Sequence, residues 1–145
     1  MKSIIQRVTT ASVSVDGECV GRIANGLLVY LGVEKGDSEE QLLWLCSKIT
    51  KLRIFADDEG KMNLSLKDVK GSLLVISQFT LCANLHKGNR PSYNDAADPK
   101  DAALLYEKAL ETFRELGFPV EKGVFGAHML VTYTNDGPVT MALDS

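Results

Sequence analysis

The chain has 145 residues, of which 45% are hydrophobic and 24% charged, a composition typical of a single soluble globular domain spanning residues 1–145. Its formal net charge of −3 excludes nucleic-acid binding through overall charge, so any RNA contact needs a local basic patch, and no DNA partner is expected. The three cysteines lack CxxC spacing and the longest apolar run, 27–33, is too short to cross a bilayer, so we expect a cytoplasmic protein without membrane association.

The first 35 residues have the pattern of a β-sheet. Asp16-Gly17 is a typical hairpin turn, Asn25-Gly26 turns the chain again, and apolar segments lie between and around these two turns. The last of these segments is apolar on both faces, so the sheet must be covered on both sides by helices or by another sheet. Four strands are predicted, at 4–8, 11–15, 19–23 and 27–33.

Two amphipathic helices follow. The first begins at Ser38, which forms a capping box with Gln41, and apolar residues then recur at helical spacing. The second begins at Pro99 with Asp98 as its N-cap, and it ends at Gly117. Its buried face is expected to contain Leu104, Leu105, Ala109, Phe113 and Leu116.

Further strands are predicted at 53–55 and 62–66, and a final pair at 129–134 and 139–143. Asn135-Asp136-Gly137-Pro138 joins the final pair and has the residues of a hairpin turn. An alternative is that this segment binds a ligand, because glycine permits close approach to the main chain and the bond before a proline is the kind that adopts cis at modest cost. The fold class is mixed α and β.

The predicted strand at 71–81 is buried at first and then becomes polar. On an extended strand, Ser77 and Phe79 would face one side, and Gln78 and Thr80 the other. A hydroxyl nucleophile needs a base, and the spacing places no histidine beside Thr80, so a serine-hydrolase triad is disfavoured.

Metal and nucleotide cofactors are not expected. The two histidines, His86 and His128, lie at unrelated positions, and the glycines fit neither GxGxxG nor GxxxxGK[ST]. The loop at 82–97 is long enough to suggest a function, and it carries Lys87 and Arg90 as positive charges.

Two motifs resemble the paired signature of the D-aminoacyl-tRNA deacylases. They are Ser-Gln-Phe-Thr-Leu at 77–81 and Asn-Asp-Gly-Pro-Val-Thr at 135–140. Flanking segments that resemble the same family occur in the expected order over nearly the whole chain. They include 6–8, 11–13, 26–29, 31–33, 61–65, Gly88, 90–92 and 125–127.

The resemblance implies a homodimeric hydrolase, without a cofactor, that removes D-amino acids and glycine from mischarged tRNA. It also implies one domain whose layered mixed sheets form a barrel-like core, with two main helices packed on one side. Gly137 and Pro138, joined by a cis bond, would reach the partner's pocket and exclude an L side chain. Arg7 would brace this segment.

By the same resemblance, the pocket would be lined by Ser77, Gln78, Phe79 and Thr80, with backbone N–H groups facing the ester carbonyl. Phe125 and Met129 would contact the terminal adenosine, and Lys87 and Arg90 would contact phosphates. His128, like Leu85, His86 and Asn89, departs from the family pattern, so its role is open.

Three points remain open in the sequence. Either Thr80 is the nucleophile or the 2′-hydroxyl of the RNA assists, and we favour the second because Thr80 has no evident activating partner. A non-catalytic RNA-binding module is the first alternative function. A small-molecule esterase that uses Ser77 or Thr80 is the second.

Overall fold

A computed structural model describes residues 1–86 and 88–145, in which eight β-strands and two α-helices are found. The helices are α1 (Glu39–Lys51) and α2 (Pro99–Glu115), and a short 3₁₀ helix covers Phe79–Cys82. The strands are β1 (Lys2–Val15), β2 (Glu18–Ile23), β3 (Gly26–Gly32), β4 (Arg53–Ala56), β5 (Met62–Ser65), β6 (Ser72–Ser77), β7 (Val120–Lys122) and β8 (Leu130–Asp144).

Six strands form one mixed sheet in the order β2-β1-β3-β6-β7, with β8 paired to β1. The β1 pairings are antiparallel, whereas β3, β6 and β7 run parallel to one another. The sheet curls until β2 approaches β7, where a Cβ added to Gly21 would lie 2.7 Å from the carbonyl oxygen of Lys122. The prediction of a mixed α/β fold with a barrel-like core is therefore confirmed.

Both faces of the sheet are buried, as the apolar pattern of β3 predicted. One core lies between the sheet and the two helices, so α1 and α2 pack on the same side. The other lies inside the curled sheet and contains Val8, Ala11, Val13, Ile23, Leu28, Leu74 and Ile76. Neither helix of the described chain has the length and apolar character needed to span a bilayer.

The helix starts agree with the sequence prediction because they depend on local contacts. Ser38 and Gln41 form the predicted capping box, and the Asp98 side chain accepts a hydrogen bond from the N–H of Lys100. The strands predicted at 53–55 and 62–66 form a separate two-stranded sheet, β4-β5.

The buried face of α2 is rotated from the predicted one. Ala109 and Phe113 are buried as expected, but Leu104 is 72% exposed and Leu116 is 49% exposed, so their predicted burial is wrong. Tyr106 is buried instead, and its hydroxyl donates a hydrogen bond to a backbone carbonyl of β6. A tyrosine whose hydroxyl is bonded can occupy a core position that the apolar pattern assigned to leucine.

In two places, a predicted pair of strands is one continuous strand in the structure. The strands expected at 4–8 and 11–15 are both parts of β1, and those expected at 129–134 and 139–143 are both parts of β8. The Asp16-Gly17 hairpin is confirmed, with φ values of 50° and 84°. The hairpin expected at residues 135–138 is wrong, because β8 pairs antiparallel with β1 on both sides of this segment.

Candidate functional site

A cavity of about 490 Å³ lies at the carboxyl ends of the parallel strands β3, β6 and β7. This is the edge of a parallel sheet where ligands commonly bind, and the volume suits a small molecule. The lining is mostly apolar, with Ser77, Gln78 and His128 as its polar side chains. The other lining residues are Leu31, Val33, Ile76, Phe79, Ala96, Ala97, Pro99, Ala102, Tyr106, Phe125, Gly126, Ala127, Met129 and Val131.

Strand β6 ends at Ser77, and the chain turns into the 3₁₀ helix at Phe79. The predicted extension of the strand to residue 81 is therefore wrong, and the alternation of faces does not apply beyond Ser77. The N–H of Gln78 donates to the carbonyl of Leu31 at 2.8 Å. The N–H groups of Phe79 and Thr80, the first two of the short helix, have no backbone acceptor among the described residues.

The Thr80 hydroxyl accepts a hydrogen bond from the side-chain amide of Gln78, and Thr80 itself is exposed. An amide cannot take a proton from a hydroxyl, so this contact does not activate Thr80 as a nucleophile. Of the four residues expected in the pocket, Ser77, Gln78 and Phe79 line the cavity and Thr80 does not.

Aromatic rings form two walls of the cavity. Phe79 is 56% exposed and makes an edge-on contact with Tyr93, their ring centroids 5.0 Å apart. Phe125 leans on Tyr106 with a centroid distance of 5.8 Å, and the Tyr106 hydroxyl donates to the carbonyl of Val75 at 2.8 Å. Burial raises the pKa of Tyr106, so this phenol stays neutral and acts as a fixed support.

Backbone hydrogen bonds join the two sides of the loop that follows the 3₁₀ helix. Asn84 and Ser92 exchange two backbone hydrogen bonds of 2.8 and 3.1 Å. Arg90 is exposed near the tip, which is compatible with a phosphate contact, while Lys87 lies outside the described residues. His128, for which no role was predicted from the sequence, is exposed and lines the cavity.

The segment 136–139 projects from the edge of β8. On β1, Gln6 is opposite Thr140 and Val8 is opposite Asn135, so the register shifts and four residues of β8 are left without a partner. This is a bulge in a continuous strand and not a chain reversal. The peptide bond between Gly137 and Pro138 is cis, and both residues are exposed.

Arg7 lies against the projecting segment. It is 9% exposed, and its Nη1 donates to the carbonyl of Ile54 at 2.6 Å. Its Nε lies 2.9 Å from Oδ2 of Asp136, an ion pair rather than a well-directed hydrogen bond. A Cβ added to Gly137 would lie 3.1 Å from Nη2 of Arg7, so the guanidinium touches the segment at two consecutive residues.

The projecting segment and the cavity are separate in one chain. Arg7 is opposite Leu27 at the start of β3, whereas Leu31 near its end lines the cavity. Four residues of strand separate these positions, about 13 Å at about 3.3 Å per residue. Among the described residues that line the cavity, neither Gly137 nor Pro138 is found.

Comparison with known proteins decides the family. The family model described as D-Tyr-tRNA(Tyr) deacylase matches residues 4–144. The chain belongs to the D-aminoacyl-tRNA deacylase family. The sequence resemblance to the D-aminoacyl-tRNA deacylase family is therefore confirmed.

Relatives and solved structures agree with this membership. Proteins named D-aminoacyl-tRNA deacylase are 53% identical in Geobacter sulfurreducens and 55% identical in Fervidobacterium nodosum, over 100% of this chain and 95% and 97% of theirs. A structure described as a c-Myc DNA unwinding element binding protein is 40% identical, covers 100% of this chain and 99% of its own, and has a TM-score of 0.95. A probable eukaryotic D-amino acid tRNA deacylase, 18% identical with a TM-score of 0.82 over 99% and 98% of the two chains, shares the fold of this deacylase-family chain.

Cysteine chemistry does not contribute to this deacylase-family site. Burial raises the pKa of Cys82, next to the 3₁₀ helix, to about 11 and that of Cys46 to about 12, so neither thiol ionises near neutral pH. The third, Cys19, is exposed on β2. No cluster of three or more potential metal ligands is found in the part of the chain that the structure describes.

Several cavity residues were missed by sequence reasoning. Ala96, Ala97 and Pro99 come from the segment that enters α2, and Leu31 and Val33 come from the end of β3. The only signal was the position of these residues after buried strands or before a helix, which identifies one edge of a parallel sheet once the pairing is known.

Proposed function

We propose that this chain hydrolyses the ester bond of tRNA charged with a D-amino acid or glycine, acting as a homodimer. Water adds to the ester carbonyl, the bond from that carbon to the ribose oxygen breaks, and the ribose oxygen takes a proton. The observation that carries the proposal is the pair of free N–H groups, of Phe79 and Thr80, beside a nucleoside-sized cavity in a chain of this family.

The cavity supplies a place for the terminal adenosine. Phe125 and Met129 line it and offer a ring face and a polarizable sulfur to the base. With the adenine ring in the cavity, the ester carbonyl would lie toward the N–H groups of Phe79 and Thr80. Two preorganised donors aimed at a developing oxyanion supply about 3 kcal/mol or more of transition-state stabilisation.

The partner subunit completes the site. In one chain Gly137 and Pro138 are too far along the sheet to reach the cavity, so we assign them to the cavity of the second subunit. There the two backbone carbonyls would accept hydrogen bonds from the ammonium group of the amino acid. An L side chain would then point into the main chain of the segment, whereas a D side chain or a hydrogen atom would not.

The direct test offers the purified protein matched D- and L-tyrosyl-tRNA and glycyl-tRNA. We expect rapid release of D-tyrosine and glycine and release of L-tyrosine at the uncatalysed rate. Equal rates on the D and L substrates would contradict the proposal. Retention of tRNA with no release at any protein concentration would favour the RNA-binding module instead.

A second prediction concerns the nucleophile. Thr80→Val keeps the side-chain shape and removes the hydroxyl, and we expect the D-specific rate to fall by less than about threefold, because the Thr80 hydroxyl has no base. A substrate whose terminal adenosine lacks the 2′-hydroxyl should react about 100-fold more slowly with the wild-type protein.

Ser77→Ala is the matched control for this comparison, because Ser77 also carries a hydroxyl and lines the cavity. If Thr80→Val or Ser77→Ala abolishes activity while the 2′-deoxy substrate reacts normally, the protein is a hydroxyl-nucleophile esterase and the assisted mechanism is wrong.

A further inference from the structure

One side chain spans the base of the projecting segment and has no role in the function proposed above. The Nδ2 of Asn135 donates to the carbonyl of Arg7 at 2.9 Å and to the carbonyl of Val139 at 3.0 Å. Its Oδ1 accepts from the hydroxyl of Thr140 at 3.1 Å, which in turn accepts from the Gln6 amide at 3.2 Å. Every polar atom of the Asn135 side chain is therefore used.

These bonds fix both ends of the segment. Asn135 precedes the unpaired residues and Val139 ends them, so the amide closes the segment across its base. The bond to Arg7 ties the same point to β1, and the Val139 side chain is buried in the helix-side core. The tip, Gly137 and Pro138, is left exposed.

We propose that Asn135 is a positioning residue, which sets where the carbonyls of Gly137 and Pro138 lie and thereby controls discrimination between D and L substrates. This inference rests on the proposed function, in which those carbonyls bind the amino group. Arg7 holds the segment through its own side chain from one side, whereas Asn135 holds it from within β8. The two contacts use different atoms and can be tested separately.

Asn135→Asp is the sharpest test because it conserves shape and removes both donors. A carboxylate has no N–H to donate and would face two carbonyl oxygens, so the hydrogen bonds to the carbonyls of Arg7 and Val139 are both lost. We expect amide hydrogen exchange of Thr134 and Thr140, which pair with β1 on either side of the segment, to rise about tenfold. We also expect the ratio of L- to D-tyrosyl-tRNA hydrolysis to rise about tenfold. Asn25→Asp, in an exposed turn, adds the same charge and should change neither value.

Thr140→Val provides a second variant if Asn135→Asp does not fold. It removes the bond that orients the Asn135 amide but adds no charge, and we expect changes of about threefold in the same directions.

Each outcome is informative. Unchanged exchange in a folded Asn135→Asp variant overturns the inference whatever the substrate. Faster exchange with an unchanged L-to-D ratio also overturns it, because the role of Asn135 is then only structural. If exchange rises in Asn135→Asp but the wild-type protein releases no D-amino acid, the proposed function fails, and the result supports only the role of Asn135 in holding the segment.

Discussion

Gly137→Ala is expected to reduce D-aminoacyl-tRNA hydrolysis by about 100-fold in a protein that remains folded. The added Cβ would lie 2.7 Å from Cγ2 of Val139, 3.0 Å from its backbone nitrogen and 3.1 Å from Nη2 of Arg7. The Gly137 φ of +120° is also one that L residues rarely adopt. Because the segment projects from the sheet, the strain displaces its tip more than the core.

The measurement compares single-turnover rates on D-tyrosyl-tRNA with thermal unfolding and the oligomeric state. Gly60→Ala is the matched control, since Gly60 has φ of +77° but no atom within 4 Å of the added Cβ. The control should lose a little stability and no activity. A folded, dimeric Gly137→Ala variant with the wild-type D-specific rate would show that the backbone of this segment does not contact the substrate.

Arg7→Lys is expected to lower both stability and activity although it keeps the charge. The buried guanidinium bonds the Ile54 carbonyl and pairs with Asp136, and a single ammonium group cannot reproduce both contacts. The Ile54 bond is the larger contribution, because breaking a buried bond to a charged group costs about 1.5–3 kcal/mol. The ion pair is worth about 1 kcal/mol or less, since the Asp136 side chain is 44% exposed.

Urea unfolding should therefore show a free energy of unfolding about 2 kcal/mol lower in Arg7→Lys than in the wild type. The D-specific rate should fall about tenfold or more. Arg22→Lys on the exposed face of β2 is the control and should be neutral. Asp136→Asn should reproduce only a small part of the Arg7→Lys effect; an equal loss in both variants would mean that the ion pair dominates.

Local features of this chain were predictable from sequence. The Ser38 and Asp98 caps and the Asp16-Gly17 turn depend on contacts within a few residues, and all three are found. Non-local features were not. The residues at 135–138 suit a hairpin equally well, and the pairing of β8 with β1 on both sides makes them a bulge instead.

The same reason explains the end of β6. The residues at 77–81 carry no local signal for a 3₁₀ helix. The helix begins one residue after Gln78, whose N–H makes a non-local bond to the carbonyl of Leu31 on the neighbouring strand. The two motifs were identified through family resemblance rather than through their geometry. Only the structure shows that the two motifs lie apart in one chain and that the first motif lines a cavity. It also shows that Arg7 and Asn135 hold the second motif in place.

The length of β3 has a consequence for how activity depends on concentration. The cavity lies near one end of this strand and the projecting segment near the other. Under the proposed function, each chain would therefore supply one part of each of two sites. Under the proposed function an isolated chain would be fully folded and yet catalytically silent. Dilution would then switch the enzyme off without unfolding it, and the specific rate would follow the fraction of paired chains.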